Sequence, residues 1–280
     1  MYAIVLAATS ALVWGAADFC GGKATQRSST LTVTVMSQIL GLPIIALGLV
    51  IIPGTPHLTD ILYGMAAGVA GLGGIVLLYR GLSGGAMSVV APITAVTSAF
   101  IPVIGGLLMG ERPNPIALVG AVCAIAAIGL VSLGHSQGRG AVTPKVVLLA
   151  LSAGALFGAF FLILRFADSA AGMWPMVGVR ASSIPIGLFL IWRAGASLRL
   201  PRGSGALTMA AGLGDNAANM LYLLAVQRGD LSVIAPIAAL YPTSTVLLAL
   251  LVEKERLRPI QFGGLALAAA ALVLSALPTT

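Results

Sequence analysis

The chain has 280 residues, of which 59% are apolar and only 8% charged, against roughly 25% charged in soluble domains. A soluble globule of this size cannot hide so much apolar surface, so hydrocarbon is the expected solvent. The formal net charge of +7 comes from basic residues scattered singly between apolar runs, with no basic stripe interleaved with aromatics; that pattern excludes nucleic acid as an expected partner and fits the loops of a membrane protein.

A hydrocarbon core about 30 Å thick needs about 20 apolar residues per helical crossing. Ten such runs follow one another, at 2–20, 29–52, 58–80, 86–109, 114–134, 144–166, 172–193, 204–227, 231–252 and 258–277. The expected fold is an all-α polytopic membrane protein of ten transmembrane helices. The first run has no basic residue before it and leads straight into Trp14 and Asp18, so it reads as a retained helix rather than a cleaved signal. Short polar punctuation separates the runs, including "QRSS", "PGTPH", "GERPN", "RLPRGSG" and "QRGD", and the longest interruption, "GHSQGRGAVTP", falls at the midpoint. Cys20 and Cys123 lie in unrelated runs with no C-x-x-C spacing. They support neither a disulfide framework nor a metal cage, and no cofactor is implied.

The midpoint divides two copies of one pattern. "GGAMSVVAPITA" at 84–95 recurs as "RGDLSVIAPIAA" at 228–239, "GERPNPIALVG" at 110–120 recurs as "KERLRPIQFGG" at 254–264, and "MAAG" at 65–68 recurs at 209–212; all three pairs lie 144 residues apart. The expected organisation is a first five-helix repeat over 1–134, a short linker over 135–143 and a second five-helix repeat over 144–280. An odd number of crossings per copy inverts the second copy relative to the first. Equivalent loops differ in charge as that inversion requires. Lys23 and Arg27 sit in the first loop against only Arg165 in the sixth, and Arg112 alone in the second and fourth against Arg193, Arg199, Arg202, Lys254, Arg256 and Arg258 in the seventh and ninth. The positive-inside rule then assigns the odd-numbered loops to the cytoplasm and both termini to the outside.

The duplicated ten-helix layout, "WGAADF" in the first helix, and "GER" and "KER" after the fourth and ninth resemble EamA-type members of the drug/metabolite transporter superfamily. The resemblance covers essentially the whole chain. It implies a secondary transporter of the cell (inner) membrane with a central cavity between inverted halves, moving a small metabolite or drug-like solute; proton-coupled export is a further expectation. Its motifs speak to fold far more than to substrate.

Charged residues inside a span cost at least about 2.5–3.5 kcal/mol on insertion scales and usually face a cavity or a partner. Asp18 falls at or just inside the end of the first run, Arg180 mid-run in "MWPMVGVRASSIPIGLFLIW", and Asp215 centrally in "LTMAAGLGDNAANMLYLLAV". Asp215, Asn219 and Tyr222 stand at i, i+4 and i+7 and share one helical face, with Asn216 beside it. The repeat equivalents of Asp215 and Asn219 are Gly71 and Ile75, so this polar stripe belongs to one half alone. Arg180 and Asp215 read equally as an interhelical pair or as solute and proton contacts. Gln38, which aligns with Arg180, and Trp14 and Tyr241 complete the candidate substrate-binding or coupling set. The cavity is expected between the first, second, seventh and eighth helices, with the fourth and ninth as further candidates.

Pro92 and Pro236 are repeat equivalents near helix starts and candidate hinges, where a proline's missing N–H is tolerated; Pro43, Pro102, Pro185 and Pro242 lie deeper and favour kinks. The Glu111-Arg112 and Glu255-Arg256 pairs read as charge clusters capping helix ends. "FCGGKAT" lacks the first glycine and the hydroxyl of a phosphate-binding loop. The competing readings are a channel, a non-transporting membrane scaffold, or an intramembrane aspartyl protease built on Asp18 and the "GLGD" at 212–215. The chain offers no filter-like repeat for the first, and duplication has no role in the last.

Overall fold

The computed structural model describes residues 1–26, 28–82, 87–134, 143–253 and 258–277; Arg27, the linker residues 135–142 and the Glu255-Arg256 pair lie outside them. The described residues form twelve α-helices and one short 3-10 turn: α1 Tyr2–Thr25, α2 Thr30–Leu40, α3 Leu42–Ile51, α4 Leu58–Leu82, α5 Met87–Leu108, α6 Pro115–Gly134, α7 Pro144–Leu164, α8 Trp174–Arg193, α9 Gly205–Val226, α10 Leu231–Ala238, α11 Tyr241–Glu253 and α12 Pro259–Ala276. These are the ten expected spans, two of them broken. The second is α2 with α3 and the ninth is α10 with α11. Five stretches, Tyr2–Thr25, Thr30–Ile51, Leu58–Leu78, Pro144–Leu164 and Trp174–Arg193, are long and apolar enough to cross a membrane. Large apolar side chains such as Val50, Leu108, Trp192 and Leu251 point outward and are exposed on the protein, which is the surface hydrocarbon covers in a multi-pass protein.

Prolines account for both breaks. Pro43 has no N–H to give the Ile39 carbonyl and its ring crowds that group; the helix stops at Gly41 and restarts with Pro43 in the first turn of α3, where no donor is needed. Pro242 does the same to the ninth span, which breaks after Ala238 and resumes at Tyr241. The repeat equivalent of Pro242 is Ser98, and α5 accordingly runs through unbroken. Pro185 sits inside a continuous α8, and Pro102 inside a continuous α5. Pro92 and Pro236 each stand sixth in their helices, α5 and α10.

Packing obeys the duplication. α1 lies along α9 as α4 lies along α7; α4 packs on α8 as α9 packs on α2 and α3; α5 packs on α7 as α11 packs on α1; and α6 pairs with its own equivalent, α12. Exchanging the two halves maps each of these contacts onto another of them, and the α6–α12 pair onto itself. Glycine makes two of these contacts possible. A Cβ on Gly68 would collide with the Val179 carbonyl on α8, and a Cβ on its repeat equivalent Gly212 would collide with the Ser37 carbonyl on α2. Backbones approach that closely only where the side chain is a hydrogen atom.

Candidate solute site

The helices enclose a cavity of about 900 Å³, within the size range of small-molecule sites. The C-terminal half of α1 lines it from Trp14 to Thr25, facing Thr30 to Gln38 of α2, Gly68 to Leu78 of α4 and Ala211 to Asn219 of α9. Its rim residues Gly22, Thr25, Thr30 and Leu78 lie at the α1–α2 and α4–α5 ends, so the mouth opens at the face of the odd-numbered loops. α4 and α7 contribute walls beyond the helices expected from sequence. Gly71 and Ile75, equivalents of Asp215 and Asn219, line the same cavity, as do Gln38 and its equivalent Arg180. Symmetry brings equivalent positions to one space, and the chemistry differs between the two sides.

Arg180 and Asp215 form the central pair. The Arg180 Nη2 donates to Asp215 Oδ2 at 2.6 Å and its Nε donates to Asn216 Oδ1 at 2.8 Å. Asn216 in turn donates to the Gly212 carbonyl at 3.0 Å, so the tight Gly212 contact and the orientation of Arg180 belong to one network. The Trp14 indole N–H donates to the other Asp215 oxygen at 3.2 Å, and Asn219 donates to the Asp215 carbonyl at 2.6 Å. The two charges are unequally sheltered: the Arg180 side chain is 9% exposed and that of Asp215 38%. Arg180, Asp215, Asn219, Trp14, Gln38 and Tyr241 all line the cavity. Ser183 joins them by donating to Gln38 Oε1 at 2.6 Å.

Three placements differ from the sequence reading. α1 continues to Thr25, past Gly21-Gly22, with Lys23 in its last turn, where a cation suits the helix dipole. Asp18 therefore sits two turns before the helix end, rather than at it, with its side chain at the cavity wall. Tyr222 is fully buried and donates its hydroxyl to the Phe161 carbonyl at 2.9 Å; it lies beneath the cavity and packs with Phe161 and Trp14 at ring-centroid distances of 4.8 and 6.0 Å. Asn216 stands behind Arg180 rather than on the cavity surface. Sequence reasoning also missed the phenylalanines Phe157, Phe160 and Phe161, whose three- and four-residue spacing in "LFGAFF" was a legible stripe.

The face opposite the mouth is closed by contacts between the repeats. Gly110, at φ +90°, turns the chain after α5, a conformation that favours glycine. Glu111 then reaches across to α10, where its carboxylate accepts from the backbone N–H of Leu231 at 2.8 Å and of Ser232 at 2.9 Å, and from the Ser232 hydroxyl at 2.7 Å. Arg165 Nε lies 3.9 Å from the same carboxylate. Glu111 thus caps a helix of the other repeat, at the positive end of its dipole, rather than its own. Burial, then the charge of Glu111, raises the neighbouring Asp230 carboxyl above its ordinary 3.8, with Arg165 acting in the opposite sense. Among the described residues no group of His, Cys, Asp and Glu is arranged to hold a metal.

Comparison with known proteins agrees with this architecture. The model of the EamA-like transporter family matches twice, over residues 1–133 and 144–277. A solved crystal structure of a protein with 14% sequence identity superposes with a TM-score of 0.80, covering 98% of this chain and 95% of the other; at that identity the likeness concerns the fold. No curated protein matches the chain.

Proposed function

The chain belongs to the EamA-like transporter family and is a multi-pass membrane transporter of the drug/metabolite transporter superfamily; we propose that it is a secondary carrier that moves a small solute through the central cavity by alternating access, in the cell (inner) membrane. The observation that carries this reading is the pairing of a cavity open at one end with an inter-repeat seal at the other. The cavity reaches from Thr25 and Thr30 down to Trp14, Phe161 and Tyr241, and beyond that floor Glu111 ties the fourth span to the ninth. A two-repeat fold whose contacts interchange has a second arrangement of the same kind, with the seal and the mouth exchanged.

With the basic odd-numbered loops in the cytoplasm, the open mouth is the cytoplasmic one, and cargo loads from inside for export. Asp215 and Asp18 are the groups through which proton coupling would run. Its partners in this reading are the lipids around it and its small-molecule solute.

Counterflow in proteoliposomes tests the reading. Protein loaded with a metabolite pool should exchange labelled members of that pool saturably, and faster with an imposed pH gradient if protons are coupled. A flux that rises linearly without saturation would indicate a channel instead. Absence of flux from folded protein would leave a scaffold.

A further inference from the structure

Among the described residues three charged side chains line the cavity, Asp18, Arg180 and Asp215, with a summed formal charge of −1. Their exposure sharpens the sign. Arg180 is nearly enclosed, with its Nε spent on Asn216 and its Nη2 on Asp215. The two carboxylates face the open space: Asp215 is 38% exposed and Asp18 is exposed at the wall.

Asp18 makes no hydrogen bond or ion pair among the described residues. Around it stand Asp215 on α9, close enough for their charges to repel, and the Tyr241 hydroxyl on α11, also within electrostatic reach. Arg180 on α8 is committed to Asp215. Lys23, on the same helix, has its ammonium 4.8 Å from the Phe19 ring centroid and does not line the cavity. A carboxylate within a span and without a protein cation is costly unless water or a ligand neutralises it. The same cavity is lined by aromatic faces that attract cations and shed water from apolar groups: Trp14 and Tyr241 near the floor, and Phe157, Phe160 and Phe161 on α7.

We propose that the solute is an organic monocation, with its ammonium at Asp18 and its apolar body against Phe157, Phe160 and Phe161. This assignment deepens the carrier reading and rests on the same cavity. Anionic solutes are disfavoured because the one lining cation among the described residues, Arg180, is paired with Asp215. Asp18, unmatched by a protein cation, is the residue that sets charge selectivity, whereas Arg180 and Asp215 hold the walls in register.

The test uses purified full-length protein and three matched probe sets of equal carbon skeleton: arylalkyl ammonium ions (primary, tertiary and quaternary), the corresponding alcohols, and the corresponding carboxylates. Binding is read by calorimetry and by the shift in unfolding midpoint. The ammonium set should bind at least about tenfold more tightly than the alcohols, and Asp18→Asn should remove that preference, while Asp18→Glu keeps it and so separates charge from misfolding. Equal binding of alcohols, tighter binding of carboxylates, an unchanged preference in Asp18→Asn, or binding of no ammonium probe by folded protein would each overturn the proposal. Counterflow of the same probes separates the two claims. An alcohol or carboxylate that exchanges refutes the cation and leaves the carrier. An ammonium that binds through Asp18 but never exchanges leaves the cation site and refutes the carrier.

Discussion

Arg180 and Asp215 meet at 2.6 Å across α8 and α9, yet the arginine is 9% exposed and the aspartate 38%. That inequality predicts different costs for breaking the pair from its two sides. Asp215→Asn strands a buried guanidinium, a loss approaching the roughly 3–5 kcal/mol of an opened buried pair. Arg180→Gln leaves a carboxylate that water in the cavity reaches, and should cost less, about 1 kcal/mol. Both should drop transport to background while the protein still inserts. Equal unfolding midpoints for the two variants would show that the exposure difference does not govern the pair.

Gly212 belongs to the same network through Asn216. Gly212→Ala should destabilise by about 1–3 kcal/mol because the added methyl meets the Ser37 carbonyl rather than a movable side chain. Gly68→Ala, at the symmetric contact with Val179, should behave alike. Gly263, where a Cβ meets nothing within 4 Å, is the control; alanine there should be neutral or stabilising by about 0.5–1 kcal/mol. Thermal unfolding in detergent reads all three.

Glu111→Gln should loosen the closed face. It replaces charge-assisted bonds to Leu231 and Ser232 by neutral ones at a cost of about 1–2 kcal/mol. In protein without Cys20 and Cys123, a cysteine placed by Leu164→Cys, at a fully buried position, should react faster with an impermeant thiol reagent added at the even-numbered-loop face. An unchanged rate would mean that the cap does not hold that face shut.

Asp230 gives the seal a pH dependence. Its carboxyl is raised above 3.8 in the folded protein, so the native state binds that proton more tightly than the unfolded chain does. Its contribution to stability is therefore greatest below about pH 4 and falls as pH climbs through the folded-state value. Asp230→Asn removes the repulsion with Glu111 and keeps a good capping residue at the start of α10. The variant should gain stability at neutral pH and none at low pH. A gain that is the same at both would point away from this electrostatic cause.

The ten spans were legible because lipid leaves only helix length and apolarity to satisfy, and the repeat was legible because identical segments recur at one spacing. Breaks at Gly41 and before Tyr241 follow from Pro43 and Pro242, which the sequence marks as kink positions without saying which ones part the helix. The Arg180–Asp215 pair was one of two readings; helix composition does not say which faces meet. Asp18 reads as lying near the helix end because the apolar run stops at residue 20, whereas α1 continues to Thr25. The Glu111 cap escaped the sequence because its partner lies 120 residues away in the other repeat.

The measurement closest to the central claim is counterflow of a labelled metabolite pool into proteoliposomes bearing wild-type protein or Arg180→Gln, prepared to equal folded content. Saturable exchange by the wild type and its loss in the variant is the expected result. Equal exchange by both, or none by folded wild-type protein, would contradict a carrier whose solute passes through this cavity.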